Sequence, residues 1–300
     1  MISLRITSSE VQKYFFSKEP EVSFYVADSR FFVPEKPIHL IVTSPPYFNY
    51  KDYGIEEGIG SEQNYEEYLH NLSVVFNNCY KALVPGGTVC VVIANMKSRK
   101  NVEKKSFLYP IVADFIKLMQ KIGFVFFDEI IWVKGWGNNG ALKGKPLFGS
   151  YPYPPTPKIL DSIFENILIF KKEGKREVPR EIKEKSKLDK NTWLEYTRGV
   201  WMIEPDRKAK HPATFPLEIP KRLIALYSFV GDTVYDPFAG TGTTLIASYF
   251  LKRNAIGVEV NPKFLEEFKE KWKSFVGSLW SSKDFYKQES KEKLHADESS

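Results

Sequence analysis

Thr43-Ser44-Pro45-Pro46-Tyr47 is the stretch whose residue types could most directly do chemistry. It ends the apolar run Ile38-His39-Leu40-Ile41-Val42, which reads as a buried parallel strand. The two prolines fix two φ angles and remove two N–H donors, so the chain leaves that strand in one stiff, extended shape. Such a shape aims the Ser44 hydroxyl, the carbonyls around Pro45 and the Tyr47 ring at one small volume. A planar heterocycle with an exocyclic amine suits that volume, because it finds two acceptors for its amine protons and an aromatic face to stack on. Taken alone, a turn with a packed tyrosine is the simpler account.

A second stretch shifts the balance. Val234-Tyr235-Asp236-Pro237-Phe238-Ala239-Gly240-Thr241-Gly242-Thr243-Thr244 reads as a strand, a glycine-rich turn and a helix start. Ala255-Ile256-Gly257-Val258-Glu259-Val260-Asn261-Pro262 follows as a second strand ending on a carboxylate. Glycines let the backbone approach a ligand closely, and an acid after the next strand can grip ribose hydroxyls. A nicotinamide-dependent oxidoreductase would share Gly240, Gly242 and Glu259, but Leu245 stands where its third glycine belongs, and it leaves Ser44–Tyr47 unexplained. A phosphate-binding NTPase loop would need a lysine before the Ser/Thr, which is missing. A non-catalytic nucleic-acid-binding module would require the glycine-rich turn to be a relic, yet nothing in it looks degraded.

The pair TSPPY and DPFAGTGTT, with HPATFP upstream of the second motif and GVEVNP downstream, resembles the amino-methyltransferases of DNA. The motif order, catalytic before cofactor, is similar to their β group, and the likeness runs from about Ala27 to Pro262. It implies an α/β, Rossmann-like methyltransferase fold with a mostly parallel seven-stranded sheet, one antiparallel strand and a circularly permuted order. It also implies S-adenosyl-L-methionine as cofactor and double-stranded DNA as substrate.

In such a site Ser44, Pro45, Pro46 and Tyr47 would be catalytic. Ser44 and the Pro45 carbonyl would accept the protons of the target amine, and Tyr47 would stack on a base flipped out of the duplex. The cofactor would lie against Thr43, Ser44, Asp236, Pro237, Phe238, Ala239, Gly240, Gly242, Thr243, Thr244, Glu259 and Val260. By resemblance Asp28 would sit near the adenine, and His211, Thr214 and Phe215 near the methionine end. Asp28 equally suits a helix cap, and His211 a turn. Serine at the first motif position accompanies N4-cytosine methylation more often in this family, so N4 of cytosine is the expected target and N6 of adenine the alternative. An RNA or protein-amide substrate remains a more distant option. C5-cytosine chemistry needs a nucleophilic cysteine, and Cys79 and Cys90 sit in apolar patterns that suit buried thiols.

The remaining chain must position these groups. Residues 21–27 and 88–94 read as strands, residues 124–133 and 163–170 as an antiparallel pair, and residues 62–83, 107–122, 217–229 and 262–279 as helices. Residues 48–60 read as a flexible loop over the site, and Asn95 as a turn residue at the end of its strand. Residues 134–158 interleave basic and aromatic side chains, which suits phosphate contact and stacking. Residues 171–190 read as a solvated linker. Lys134, Trp136, Lys143, Lys145, Trp193 and Arg198 are the expected DNA contacts. The organisation expected is a methyltransferase domain over residues 1–280, a DNA-contact insertion near residues 134–199, and a disordered tail at 281–300.

Hydrophobic residues make up 43% of the chain, enough for a substantial core, and the net charge of +6 permits a polyanionic partner. No targeting or membrane-spanning run is visible, which makes the cytoplasm the expected compartment. No metal site is expected. A cognate restriction endonuclease, within a restriction-modification system, and a monomer or homodimer are left open as partners.

Overall fold

The computed structural model describes residues 11–48, 58–61, 63–98, 103–104, 107–134, 163–205, 215–276 and 286–288. The strands are β1 (Gln12–Lys18), β2 (Glu21–Val26), β3 (Ile38–Thr43), β4 (Leu83–Ile93), β5 (Met96–Lys97), β6 (Leu108–Tyr109), β7 (Val125–Val133), β8 (Phe164–Lys171), β9 (Val200–Met202), β10 (Thr233–Asp236), β11 (Asn254–Glu259) and β12 (Tyr286–Gln288). The helices are α1 (Tyr65–Ala82), α2 (Ile111–Ile122), α3 (Arg180–Lys185), α4 (Lys190–Tyr196), α5 (Glu218–Tyr227), α6 (Thr243–Phe250) and α7 (Pro262–Val276).

Alternation along β3 explains the layering. Ile41 packs with Tyr68, Leu72 and Phe76 of α1 and Phe115 of α2. Its neighbours Leu40 and Val42 pack with Ile219 and Leu223 of α5 and Ala247 of α6. Successive side chains of a strand point to opposite faces, so a strand apolar throughout must be covered on both. At the other end of the sheet, Phe16, Phe24, Phe268 and Trp272 form an aromatic core under α7.

The main sheet has the order β12-β1-β2-β11-β10-β3-β4-β8-β7-β9. Its central seven strands, β2 to β7 in that order, are parallel except for β8, which runs against both neighbours. The expected seven-stranded sheet with one reversed strand is therefore the core. β1 and β12 extend one edge and β9 the other, which the sequence reading did not anticipate. Strand β10, which precedes the glycine-rich turn, lies mid-sheet although it is among the last in sequence.

Several expected boundaries shift. Helix α1 opens on a capping box, Asn64 with Glu67, and ends at Ala82 before Pro85-Gly86-Gly87, which bulges against β3 instead. Helix α2 starts only at Ile111, because Pro110 precedes it and Leu108–Tyr109 pair with Met96–Lys97. Asn95 accepts from the Val112 N–H and serves that helix start. Residues 171–190 are not a simple solvated linker: Lys172 donates to the Tyr80 and Leu83 carbonyls, and Arg176 forms a bidentate pair with the buried Asp232. Among the described residues no helix is long and apolar enough to cross a membrane.

Candidate functional site

Parallel pairing of β10 with β3, Val234 opposite Leu40 and Tyr235 opposite Ile41, delivers both motif loops to the same sheet edge. Ligands of open parallel sheets bind beyond the carboxyl ends of the strands, where the connections diverge. A cleft opens there, lined by Ser44, Pro45, Pro46 and Tyr47 after β3, by Asp236 to Gly240 and Thr243 at and after β10, by Glu259 and Val260 at the end of β11, and by Asp28 after β2. Phe215 and Phe264 add apolar surface. It encloses about 100 Å³ and opens to solvent at its mouth.

One wall is built around two carboxylates. Asp236 is buried and accepts from Thr43 Oγ1 at 2.6 Å, Thr244 Oγ1 at 2.7 Å and the Phe238 N–H at 3.1 Å. Burial pushes its pKa up to about 6, and these three donors restrain the rise. Glu259 accepts from the Gly240 N–H and the Asn261 N–H, each at 2.9 Å. Burial pushes it up to about 7 against the pull of those N–H groups. Each carboxylate oxygen has a second lone-pair site, so Glu259 can hold its turn and still accept from a ligand hydroxyl.

The two glycines of the turn have different reasons to be glycine. Gly240 has φ +49°, and a Cβ there would meet no atom within 4 Å, so its bare backbone faces open space in the cleft. Gly242 has φ +71°, and a Cβ there would lie 2.2 Å from the Phe268 ring. The first leaves a cradle that a ligand can fill, while the second permits helix packing. With the carboxylate of Glu259 beside that cradle and the Phe215 and Phe264 rings near it, the donor set fits a nucleoside-containing cofactor.

The opposite wall holds the stiff Ser44–Tyr47 stretch. Tyr68 of α1 donates its hydroxyl to the Pro46 carbonyl at 3.0 Å. Gly60, at φ +85°, passes so close that a Cβ would lie 2.8 Å from the Tyr47 carbonyl oxygen. Phe48 is buried in an aromatic cluster with Tyr65, Tyr68 and Tyr109, ring centroids 4.9–5.4 Å apart. The Tyr47 hydroxyl donates to Glu165 Oε1 of β8 at 2.8 Å, and Lys134 forms an ion pair with the same oxygen.

Sequence-expected residues thus divide into groups. Ser44, Pro45, Pro46, Tyr47, Asp28, Phe215, Asp236, Pro237, Phe238, Ala239, Gly240, Thr243, Glu259 and Val260 line the one cleft. Thr43, Gly242 and Thr244 do not; they stand behind it, two of them tying down Asp236. Asp28 is held by Arg30 through both carboxylate oxygens. Trp193 and Arg198 are exposed on and just after α4, away from the cleft lining. Lys134, an expected DNA contact, pairs with Glu165 and its ammonium lies 5.0 Å from the Trp132 ring centroid. Trp136, Lys143, Lys145, His211 and Thr214 lie outside the described residues, as do residues 49–57 of the expected loop. In the expected tail, Tyr286–Gln288 pair with β1.

Ser29, Ile59, Ser61 and Phe264 also line the cleft and were not singled out from sequence. Ser29 donates to the Pro237 carbonyl, a bond across 208 positions that no local pattern announces. Cys79 and Cys90 are buried free thiols whose pKa burial pushes up, which suits structural cysteines and not a nucleophile. Among the described residues no cluster of His, Cys, Asp or Glu could hold a metal ion.

Comparison with known proteins gives a consistent picture. The family model for N6/N4 DNA methylases matches residues 38–270. The Type II methyltransferase M.MjaI of Methanocaldococcus jannaschii is 33% identical over 277 residues, covering 80% of this chain and 86% of that protein. A putative DNA modification methylase of Thermus thermophilus, TTHA0409, solved in complex with S-adenosyl-L-methionine, is 34% identical with a TM-score of 0.67, over 85% of this chain and 95% of that one. The PvuII DNA methyltransferase, cytosine-N4-specific, shares the fold at a TM-score of 0.61 and 20% identity, over 87% of this chain and 89% of that one.

Proposed function

The chain belongs to the N6/N4 DNA methylase family, and from that premise we propose that it methylates the exocyclic N4 of a cytosine flipped out of duplex DNA. The observation that carries this reading is the β3–β10 pairing, which puts the Ser44–Tyr47 stretch and the Asp236–Gly240 turn on facing walls of one cleft. S-adenosyl-L-methionine, when bound, supplies an electrophilic methyl group on a sulfonium centre. Gly240 and Glu259 would hold it by close backbone approach and hydroxyl recognition, with Asp28, Phe215 and Val260 around it.

The exocyclic amine of cytosine is a poor nucleophile because its lone pair is delocalised into the ring. Hydrogen bonds from the amine to the Ser44 hydroxyl and the Pro45 carbonyl favour a tetrahedral nitrogen whose lone pair points across the cleft. Pro46's own carbonyl is taken by Tyr68, which leaves the preceding one for the substrate. Tyr47 offers its ring for stacking. Positioning and electrostatics carry such a transfer, with no covalent enzyme intermediate.

Serine at the first motif position supports cytosine over adenine. Several relatives are named Type II methyltransferases, which supports a place in a restriction-modification system with a cognate endonuclease. The test is nucleoside mass spectrometry on DNA incubated with the purified protein and isotopically labelled S-adenosylmethionine. Label in N4-methylcytosine is expected, and Ser44→Ala should lower turnover roughly tenfold or more, as for loss of one aligned donor or acceptor. Label in N6-methyladenine would overturn the base assignment, and absence of label would overturn DNA as substrate.

A further inference from the structure

The substrate wall contains a charged pair that the proposed reaction does not use. Glu165 is only 8% exposed, on β8 directly opposite Trp132 of β7. A carboxylate so buried is costly unless paired and hydrogen-bonded. Its Oε1 is paired twice, accepting the Tyr47 hydroxyl at 2.8 Å and the Lys134 ammonium. Glu165 itself does not line the cleft, whereas Tyr47 does.

We propose that Glu165, neutralised by Lys134, is the positioning residue that fixes the Tyr47 ring for base stacking. The inference rests on the proposed function. The backbone at Tyr47 is held separately: Pro46 before it is gripped by Tyr68, and Gly60 lies against its carbonyl. Backbone holds do not set the side-chain torsions, and a tyrosine ring swings on two of them. The bond to Glu165 pins the far end of the ring and so converts a tethered aromatic into a fixed platform. Lys134 makes the buried carboxylate tolerable, and the Lys134 N–H donates to the Ile163 carbonyl at 2.7 Å, closing the base of the β7–β8 pair. A purely structural ion pair would need no tyrosine hydroxyl from a different strand loop. This arrangement also accounts for the pairing of Lys134 with Glu165, a lysine the sequence offered as a DNA contact.

The experiment combines two readouts on the full chain. The first is the 19F resonance of 3-fluorotyrosine placed at position 47, measured in the unsubstituted protein, Glu165→Gln and Glu165→Ala, without DNA. Glu165→Ala is expected to move and broaden the resonance, while Glu165→Gln, whose amide oxygen still accepts, keeps it near its original position. An unmoved resonance in Glu165→Ala overturns the proposal whatever the enzyme methylates. The second readout is steady-state kinetics with DNA. Glu165→Ala and Tyr47→Phe should each lower kcat roughly tenfold with KM for S-adenosylmethionine unchanged, and the double variant should be no slower than either alone. Glu165→Gln should recover most of that loss. Additive losses, or a Gln variant as slow as Ala, overturn the positioning role. An unsubstituted protein that methylates no DNA, with the resonance shift intact, would sink the proposed function and leave the Tyr47 anchor standing.

Discussion

The wall of the cleft built from residues 236–261 has a framework of bonds that begin and end within that stretch, to which Ser29, Ala27 and Lys271 add ties at Pro237, Glu259 and Thr243. The Gly240 N–H meets Glu259, the Ala239 N–H meets the Val258 carbonyl, and Asp236 gathers Phe238 and Thr244. The Ser44–Tyr47 wall is held from outside: by Tyr68 of α1, by Gly60, and by Glu165 and Lys134 of the β7–β8 pair. The Thr43–Asp236 bond, between buried partners, joins the two. The difference has a physical sense. A cofactor wall that binds one constant ligand can take most of its shape from a local turn, whereas a wall proposed to receive a flipped base needs bracing from several separate elements.

The strongest way to break that comparison is to attack the cofactor wall at its two glycines. Gly242→Ala should cost about 3 kcal/mol of stability, because it combines a left-handed φ with a Cβ driven into Phe268, itself locked against Phe16 and Trp272. Gly240→Ala carries only the φ strain, roughly 1 kcal/mol, since no atom stands near its Cβ. Its Cβ enters the open cradle instead, so cofactor affinity should fall more than stability does. Thermal unfolding and calorimetric titration with S-adenosylmethionine separate the two. If both variants lost stability alike, the distinction between a packing glycine and a ligand glycine would be wrong.

This contrast also explains what was legible in the sequence. Much of the cofactor wall could be read because Asp236, Gly240 and Glu259 stand within one short span, although its ties to Ser29 and Thr43 could not. The core of the sheet was readable for a similar reason, as the run Ile38–Thr43 and the Thr88–Ile93 part of β4 carry their burial in their composition. Glu165 was hidden inside an apolar strand that scored simply as strand, and nothing local says that a tyrosine over a hundred positions away needs its carboxylate. The pairing of Lys134 with Glu165 was hidden for the same reason, since a lysine beside glycine and aromatics shows no partner until its strand neighbour is known. Two of the edge strands, β9 and β12, escaped because they are only three residues long and owe their existence to neighbours, not to pattern.

A middle-sized effect should come from pH, acting through the two carboxylates of the cofactor wall. Glu259 is raised from its ordinary 4.5 to about 7, and Asp236 from 3.8 to about 6. A folded-state pKa above the unfolded one means that the native protein binds more protons in between. Their contribution to stability is therefore full below about pH 4 and is lost as pH rises through about 7. Cofactor binding should run the other way, because an ionised Glu259 accepts ligand hydroxyls more strongly. Affinity for S-adenosylmethionine should rise about tenfold from about pH 6 to about pH 8, following the ionised fraction. Glu259→Gln should bind more weakly and lose that slope. A slope that survives the substitution would assign the titration to another group.

The smallest effect sharpens the comparison from the braced side. Tyr68→Phe deletes one hydroxyl and leaves the ring in place against Phe48 and Tyr65, so packing is kept. What is lost is the donor to the Pro46 carbonyl, worth about 1 kcal/mol. Freed of that partner, the Pro46 carbonyl can compete with the Pro45 carbonyl for the target amine, and the stretch gains a small wobble at its centre. Turnover should fall roughly fivefold, the rate equivalent of that energy, with cofactor affinity unchanged. A Tyr68→Phe protein that bound S-adenosylmethionine less well would mean that the two walls communicate through more than Thr43 and Asp236. The bracing of the substrate wall would then belong to the cofactor wall as well.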